Sequence, residues 1–321
     1  MPDFSVLIAT RNRAESLRET LRLLAKQEAA GQFTYEVLVI DNASTDHTRQ
    51  LVTALQPTFP ILLRYLYEGR IGKSWALNRG LEQAQGRFLA FTDDDILLPP
   101  TWLWALWRCF QETAADGIAG RILPHWLVPR PAWLTDAVMK QIGSLGCLDH
   151  GPMRLSSREG HTCRWVGGNM AIRREATEQV GGFDPKMVRI NDAEYYRRCV
   201  KRGLNVIYEP AALVHHKLGA ERVTPTYFRQ RYQTSGYYRA YLIPWRPAHL
   251  LTLLPLWWYR TTLRLAGRWT RHVVTRAPWV VWFADELRLR ESLSLWFHRL
   301  QLWPWWCSQA LTERLSSPRR L

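Results

Sequence analysis

Long apolar runs are absent from this chain of 321 residues, in which no stretch of about 18 uninterrupted apolar residues occurs. A helix that spans a bilayer needs roughly 20 mostly apolar residues, so the sequence predicts no clear membrane span. The N-terminal MPDFSVLIATRNR has only a short apolar stretch, and the acidic Asp3 precedes it. We therefore expect no secretory signal peptide.

Cysteine is scarce, and its pattern excludes the common cysteine-based sites. The chain has 5 cysteines, which are scattered and form no CxxC or zinc-type spacing. An odd number without a framework is typical of free thiols in a reducing compartment. The cysteines are Cys109, Cys147, Cys163, Cys199 and Cys307.

The usual nucleotide-binding motifs are also missing. A dinucleotide fingerprint needs G-x-G-x-x-G after the first strand, where this chain has ATRNRAES. The segment RIGKS resembles the end of a P-loop, but Tyr67 stands where the first glycine belongs. A glycine-rich, basic loop of the pyrophosphorylase type is absent from the same place. These absences exclude three common classes of nucleotide-binding enzyme.

Acidic residues are outnumbered, and the basic excess is concentrated at one end. The chain has 43 Lys plus Arg against 28 Asp plus Glu, a net charge of +15 and a pI near 10.0, which suits anionic partners. From Tyr241 onward there are twelve Arg, no Lys, ten Trp and four acidic residues. Nucleic-acid binding would need a defined module with basic and exposed aromatic residues interleaved. The positive charge is instead concentrated in an apolar tail, so we expect no nucleic-acid partner. We place a domain boundary between residues 240 and 241.

Strand-like and helix-like segments alternate over the first 92 residues. Short runs rich in β-branched residues predict buried strands, and leucines at helical spacing predict the intervening helices. This alternation favours an α/β fold with a mostly parallel sheet and helices on both faces. Strands are predicted at 4–10, 35–42, 61–68 and 87–92, and helices at 14–27, at 44–55 with Ser44 or Thr45 as N-cap, and at 72–86.

The rest of the chain is less regular. A helix is predicted over 101–113, followed by long loops as far as residue 163. A strand and a helix follow near 169–180, then a helix from 191 and a strand that ends near His215 and His216. Helices are expected again in the basic tail.

Three carboxylates, Asp93, Asp94 and Asp95, directly follow the fourth strand. Their mutual repulsion is about 1 kcal/mol per pair at ~4 Å in water, and more at a shielded site. Either a solvated turn or a divalent cation with hard oxygen ligands would offset it. Thr10 and Asp41 also fall at carboxyl ends of predicted parallel strands, where ligands bind in such sheets.

The segments SVLIATRNRAESLRETLRLLAKQ, YEVLVIDNASTD, GKSWALNRGLEQAQGRFLAFTDDD, VGGNMAIRREATEQVGGFDP and NDAEYYRRCVKRGLNVIYEPAALVHH resemble the ordered blocks of family 2 glycosyltransferases. These blocks cover roughly residues 4–216, in the family's order and spacing. The resemblance implies a GT-A fold, a Rossmann-like mostly parallel sheet, followed here by an α-helical C-terminal extension. It also implies transfer of a sugar from a nucleotide-sugar donor, with inversion at the anomeric carbon.

The resemblance implies a site with Mg²⁺ or Mn²⁺. The Asp triplet resembles the family's metal-binding motif, with Asp95 as the first choice of ligand and Asp94 as the alternative. A late histidine completes the metal shell in some relatives, and we favour His216 over His215. Donor-binding roles are implied for Thr10, Asn12, Asp41, Lys73, Asn78, Asp93, Gly167, Gly168 and Asn169. Arg11 and Arg13 either meet phosphate or are solvated.

An inverting transfer needs a base that takes the proton of the acceptor hydroxyl. The family places this base in a Glu-Asp pair before a helix, where this chain has Asn191 and Asp192. We assign Asp192 as the base and keep Glu194 as an alternative base or acceptor ligand. The replacement by Asn191 is the support for a rival interpretation, a non-catalytic, membrane-associated protein that binds nucleotide sugars or glycans.

The tail from Tyr241 has apolar stretches too short to span a bilayer upright, together with Trp and Arg that suit a membrane interface. We predict interfacial helices, against a helical subdomain packed on the catalytic domain or on a partner chain. A UDP-sugar donor and a glycan or lipid-linked acceptor are expected, as in bacterial cell-surface polysaccharide or glycolipid synthesis. The expected location is the cytoplasm, peripheral at the inner face of the inner membrane.

Overall fold

The computed structural model describes residues 1–142, 145–187, 189–243 and 254–316, without the side chains of 303–316. Two compact units are present, the first comprising Met1–Val128 and Ser144–Leu218, the second Pro129–Gly143 and Gly219–Leu321. The domain boundary predicted between residues 240 and 241 stays a prediction.

The first unit is built on one sheet, whose strands run in the order β3-β2-β1-β4-β8-β6-β9-β5, with β7 paired to β9. The first four strands along the chain are mutually parallel, as predicted, whereas β8 is antiparallel to both β4 and β6. The strands are β1 Phe4–Thr10, β2 Tyr35–Asp41, β3 Leu62–Tyr67, β4 Phe88–Thr92, β5 Ile96–Leu97, β6 Gly117–Trp126, β7 Leu155–Ser156, β8 Asn169–Arg173 and β9 Val206–Leu218.

The helices alternate with these strands and continue to the C-terminus. Those of the first unit are α1 Ala14–Leu24, α2 Thr48–Leu55, α3 Lys73–Gln83, α4 Trp102–Glu112, α6 Arg174–Val180 and α7 Asn191–Lys201. Those of the second unit are α5 Asp136–Ile142, α8 Pro225–Leu242, α9 Leu256–Val274 and α10 Trp279–Ser316. Short 3₁₀ turns lie at Gln56–Thr58, Ser157–Glu159 and Ala220–Arg222.

Strands β1, β2 and β4 are interior strands of the sheet. Their residues are almost all buried, as expected for parallel strands covered on both faces. Helix α3 packs closely on them through Gly80, because a Cβ there would lie 2.6 Å from a methyl carbon of Leu7. The continuous apolar runs of the sequence thus become the core of the first unit.

Two local predictions were wrong. Helix α2 begins at Thr48 rather than near Ser44, because the Asp46 carboxylate accepts hydrogen bonds from both the amide and the hydroxyl of Thr48. The stretch after residue 113 is not only loop, since β6 occupies Gly117–Trp126 and pairs with both β8 and β9.

The second unit is helical, and aromatic packing and ion pairs hold it together. Trp133 contacts the rings of Phe228, Trp279 and Phe283. Helices α8 and α10 approach so closely that a Cβ on Gly236 would lie 2.2 Å from a backbone oxygen of α10. Ion pairs join its helices, among them Arg229–Glu286, Arg239–Glu291 and Arg268–Asp285. Among the described residues, no helix is both long and apolar enough to cross a membrane.

Candidate active site

The carboxyl ends of β1, β2 and β4 meet at one edge of the sheet. Thr10 is the partner of Asp41 in the parallel register, and Ile8 is the partner of Thr92, the residue before the Asp triplet. The sequence-predicted donor and metal residues on these three strands are therefore neighbours. The edge is polar because each strand ends where its apolar run ends.

Asp94 is buried beneath the loop that follows β1. Its carboxylate accepts hydrogen bonds from Thr10 Oγ1 at 2.6 Å and from Arg13 Nη1 at 3.1 Å. Burial raises the pKa of Asp94 to about 6, although the charge of Arg13 acts in the opposite direction. The hydroxyl of Thr10 thus has this carboxylate as its partner, and its predicted contact with a donor stays a prediction.

Asp95 lies between Arg13 and His216. Arg13 Nη1 donates to Asp95 Oδ2 at 2.8 Å, and His216 Nε2 lies 3.5 Å from the same oxygen. Antiparallel pairing of Ile96 with His216 brings this histidine to the triplet, with Leu97 opposite His215. The structure therefore places His216, and not His215, beside a predicted metal ligand.

The backbone of the triplet is fixed by side chains that the sequence interpretation missed. The hydroxyls of Ser16 and Thr20, one helical turn apart on α1, both donate to the carbonyl oxygen of Asp94. Lys217 donates its amide to the carbonyl of Asp95 and its ammonium group to Ser16. The i,i+4 hydroxyls of α1 were the available signal, but only the fold shows what they bind.

Lys73 forms an ion pair with Asp93 at the start of α3. Burial opposes its charge, but the charges of Asp93 and, next, Asp192 raise the pKa of Lys73. A Cβ on Gly167 would lie 3.2 Å from Lys73 Nζ, and one on Gly168 would lie 3.6 Å from Asp93 Oδ2. The two glycines thus let the backbone approach these charged groups closely.

Asp192 lies on the other side of the glycine pair, in the first turn of α7. Its Oδ2 accepts a hydrogen bond from the Gly167 amide at 3.0 Å, and its Oδ1 accepts one from the Ala193 amide at 2.7 Å. A Cβ on Gly167 would be within 3.9 Å of Asp192 Oδ2. The predicted base is therefore near Lys73 and is held by backbone amides.

Glu194 has a different environment. It is buried, and both of its carboxylate oxygens accept hydrogen bonds from Arg198 Nε, at 2.8 and 3.0 Å. Arg198 also donates to the carbonyls of Val180 and Gly182, which anchors α7 to the end of α6. These contacts give Glu194 a structural ion pair, and the catalytic roles of Asp192 and Glu194 stay predictions.

Asp41 and Asn12 shape the loops at the carboxyl ends of β1 and β2. The buried Asp41 carboxylate accepts from Tyr65 Oη at 2.7 Å and from the Ser44 amide at 2.8 Å. Asn12 has a φ of 53°, in the left-handed region that asparagine tolerates, and its side chain accepts from the Thr45 amide at 2.7 Å. Both residues join the two loops, and their contacts with a donor stay predictions.

Two asparagines that were assigned to the donor are used by the fold. Asn169 is fully buried, accepts from Trp102 Nε1 at 2.8 Å and donates to the carbonyls of Arg121 and Ala212. Asn78 bonds both the amide and the carbonyl of Phe183. The geometry gives both side chains structural partners and offers no support for their predicted donor contacts.

The donor atoms of Asp95 and His216 suit a Mg²⁺ or Mn²⁺ ion. Ligands at about 2.0–2.2 Å from one ion lie roughly 3 Å apart, close to the 3.5 Å found here between Oδ2 and Nε2. Among the described residues, no group of three or more His, Cys, Asp or Glu side chains is arranged to hold a metal. Such ions commonly use one or two protein ligands and take the others from substrate phosphates and water.

A separate cavity of about 590 Å³ lies on the first unit, lined by α4, the bulged part of β6 and β9, and the segment before β7. It contains Trp104, Arg108, Arg154 and Glu209 but none of the predicted site residues. Its arginines are already paired, Arg108 and Arg154 with Glu112 and Glu209, and Arg121 with Asp149, so we attach no chemistry to it.

Known proteins have sequences related to this chain. The chain is 27% identical to the succinoglycan biosynthesis protein ExoM of Rhizobium meliloti over 227 residues, which is 70% of each chain. It is 26% identical to a glucosyl-dolichyl phosphate glucuronosyltransferase of Haloferax volcanii over 233 residues, 67% of this chain and 69% of that one.

The fold has a solved counterpart in the mannosyltransferase PcManGT of Pyrobaculum calidifontis, determined with GDP-Man and Mn²⁺. The TM-score is 0.60 at 21% identity, and the alignment covers 95% of this chain and 87% of that one. This likeness confirms the GT-A fold. The model of the family described as glycosyl transferase family 2 matches residues 5–181, more than half of the chain. The chain therefore belongs to glycosyltransferase family 2.

Proposed function

We propose that this glycosyltransferase transfers a sugar, with inversion, from a nucleotide-diphospho-sugar to an acceptor hydroxyl, with Asp192 as general base. The observation that carries the proposal is the meeting of Asp192, Lys73 and Asp93 around Gly167 and Gly168. A carboxylate and an ammonium group beside a glycine turn can serve the two ends of such a reaction, the attacking hydroxyl and the leaving phosphate.

In the proposed step, the acceptor oxygen bonds to the anomeric carbon on the face opposite the diphosphate. The bond from that carbon to the phosphate oxygen breaks, and its electron pair leaves with the nucleoside diphosphate. The hydroxyl proton goes to the carboxylate of Asp192. The amides of Gly167 and Ala193 orient that carboxylate, and no carboxylate other than Asp192 is so placed on the first turn of α7, because Glu194 is paired with Arg198.

The second requirement is to stabilise the negative charge that develops on the leaving nucleoside diphosphate. Lys73 at the N-terminal end of α3 combines an ammonium group with free helix amides, an arrangement that favours phosphate. Asp95 and His216, with Asp94 beside them, would hold Mg²⁺ or Mn²⁺, which when bound supplies positive charge to the diphosphate. UDP is our preferred nucleotide, with the base near Asp41 and the ribose near Thr10, Asn12 and Asp93.

We further propose that the acceptor is a glycan or a lipid-linked saccharide of the bacterial cell surface. The name of the Rhizobium meliloti relative refers to a polysaccharide, and that of the Haloferax volcanii relative to a dolichyl phosphate. A peripheral position at the cytoplasmic face of the inner membrane would bring the enzyme to such an acceptor.

Paired carboxylate variants test the base. We expect Asp192→Asn to lower kcat about 10²- to 10⁴-fold with little change in donor affinity, since only proton transfer is lost. Glu194→Gln should lower kcat less than tenfold. Equal losses in both variants, or full activity of Asp192→Asn, would refute the assignment.

Calorimetry tests the donor site independently. UDP, GDP and dTDP would each be titrated into the protein with Mn²⁺ and with EDTA, and the series repeated with Asp95→Ala. Binding that needs both the metal and Asp95 supports the proposal, and the preferred nucleotide identifies the donor. No binding to any nucleotide would leave the non-catalytic interpretation as the better one.

A further inference from the structure

We infer that the exposed face of α9 is a docking surface for a membrane rich in anionic phospholipid. This inference names the part of the chain that would hold the enzyme at the membrane surface. It rests on the proposed function only for the reason why the protein binds a membrane. The evidence for it lies entirely within the second unit of the chain.

Helix α9 has two different faces. Trp258 and Leu265 are buried and face the interior of the second unit, where Trp258 packs with Leu254 and Leu295. On the opposite side Leu256, Leu263 and Val274 are 66%, 71% and 74% exposed. These large apolar side chains therefore have no cover among the described residues.

The exposed apolar residues form a line along the helix. Leu256, Leu263 and Val274 are separated by seven and eleven residues, which are close to two and three turns at 3.6 residues per turn. Gly267 lies on the same line, and the exposed Thr270 lies at its edge beside Leu263. An apolar line of this length, about 27 Å at 1.5 Å per residue, lies parallel to the helix axis.

Arginines flank this line on one side. Arg260, Arg264 and Arg271 are exposed and four and seven residues apart, so they form a second line beside the first. No carboxylate among the described residues forms an ion pair with any of these three, whereas Arg268, farther round the helix, pairs with Asp285. Trp257, 60% exposed, lies beyond the arginines.

This combination matches one occupant, a lipid surface. Unpaired arginines complement anionic headgroups, while leucine and valine side chains can enter the acyl boundary of a bilayer lying parallel to the helix. A nucleic acid would satisfy the arginines but leave the apolar line exposed to water. The helix therefore lies on the membrane rather than crossing it, consistent with its arginine content.

Vesicle co-sedimentation of the full chain tests the inference without donor or acceptor. We expect binding to phosphatidylcholine vesicles with 30% phosphatidylglycerol and much weaker binding to pure phosphatidylcholine. The variant Arg260→Ala/Arg264→Ala/Arg271→Ala should bind the anionic vesicles about a hundred-fold less, since each arginine near such a surface contributes roughly a factor of five. Leu256→Ser/Leu263→Ser/Val274→Ser should also bind less, at low and at high salt.

The matched control removes the same charge elsewhere. Arg22, Arg164 and Arg202 are exposed on the first unit, and their triple alanine variant should keep wild-type binding. Equal loss in this control would show attraction by net charge alone and overturn the inference. So would wild-type protein that stays in the supernatant, or serine variants that bind normally. Hydrolysis of the nucleotide-sugar donor should be unchanged in all variants. Vesicle binding therefore tests the docking surface, and donor hydrolysis tests the proposed reaction, independently of each other.

Discussion

Replacement of Asn169 by alanine would show whether its side chain has a structural or a donor-binding role at the glycine turn. The sequence assigns it to the donor, whereas the structure buries it completely between three partners. Replacement by alanine would remove three hydrogen bonds and leave Trp102 Nε1 and the carbonyls of Arg121 and Ala212 without their partner. A buried polar group left without its partner costs about 1–3 kcal/mol.

We therefore expect Asn169→Ala to lower the free energy of unfolding by about 3–5 kcal/mol, a large part of the 5–15 kcal/mol typical of a domain. Urea unfolding followed by circular dichroism measures this loss. Donor affinity, measured by calorimetry below the unfolding range, should change less than threefold because no atom of the side chain remains available to the donor.

Asn12→Gly is the matched comparison. Glycine accepts the positive φ of this residue and removes only hydrogen bonds of an exposed side chain, so the free energy of unfolding should fall by about 1 kcal/mol or less. If Asn12 contacts the donor, this variant should instead weaken donor binding. An Asn169→Ala protein of normal stability and impaired donor affinity would refute the structural assignment.

Three further predictions concern the charged groups of the site. Glu194→Gln should lower the free energy of unfolding by about 1–3 kcal/mol, because the half-buried Arg198 loses its charged partner, and urea unfolding checks it. Gly167→Ala should weaken donor binding about tenfold or more at nearly normal stability, since its Cβ would crowd Lys73 Nζ at 3.2 Å, and calorimetry with the nucleotide that binds wild type would show it. Arg13→Ala should strengthen Mn²⁺ binding in the absence of nucleotide, because its guanidinium group no longer competes for Asp94 and Asp95, and weaker binding by calorimetry would contradict this.

The strands that position the site were predictable because their sequences are unambiguous. FSVLIAT, YEVLVID and FLAFT are continuous apolar runs, and each is followed by polar residues that mark the edge of a parallel sheet. The order of these runs along the chain was enough to bring Thr10, Asp41 and the Asp triplet together.

Strand β6 could not be predicted because GIAGRILPHW contains two glycines and a proline, which usually interrupt strands. The fold explains each exception. A Cβ on Gly117 would lie 2.4 Å from the Trp165 ring, and one on Gly120 would lie 2.2 Å from the Asn169 amide. Pro124 lies beyond the last residue of β6 that pairs with β8, so on that side its missing N–H interrupts no ladder.

Side-chain partners far apart in the chain were equally hidden. Asn169 bonds Trp102, 67 residues away, and Arg13 bonds Asp95, 82 residues away. Local sequence gives each residue a chemical type but not a partner. Asn169 was assigned to the donor and Glu194 to catalysis or the acceptor because their types fit, and only the packing shows the protein partners that their polar atoms have.

The repulsion among Asp93, Asp94 and Asp95 is offset by four side chains from distant elements. Asp93 pairs with Lys73, Asp94 with Thr10 and Arg13, and Asp95 with Arg13 and His216. Each carboxylate of the triplet thus has a partner before any ligand binds, and a divalent cation would have to compete with Arg13 for Asp94 and Asp95. Because the Arg13 side chain is nearly half exposed, its guanidinium group can turn outward toward the phosphates of a donor. The group stays charged as it does so. The cation and the donor would then favour each other's binding. The cation would displace Arg13 from Asp94 and Asp95, and the displaced arginine could bind the donor phosphates.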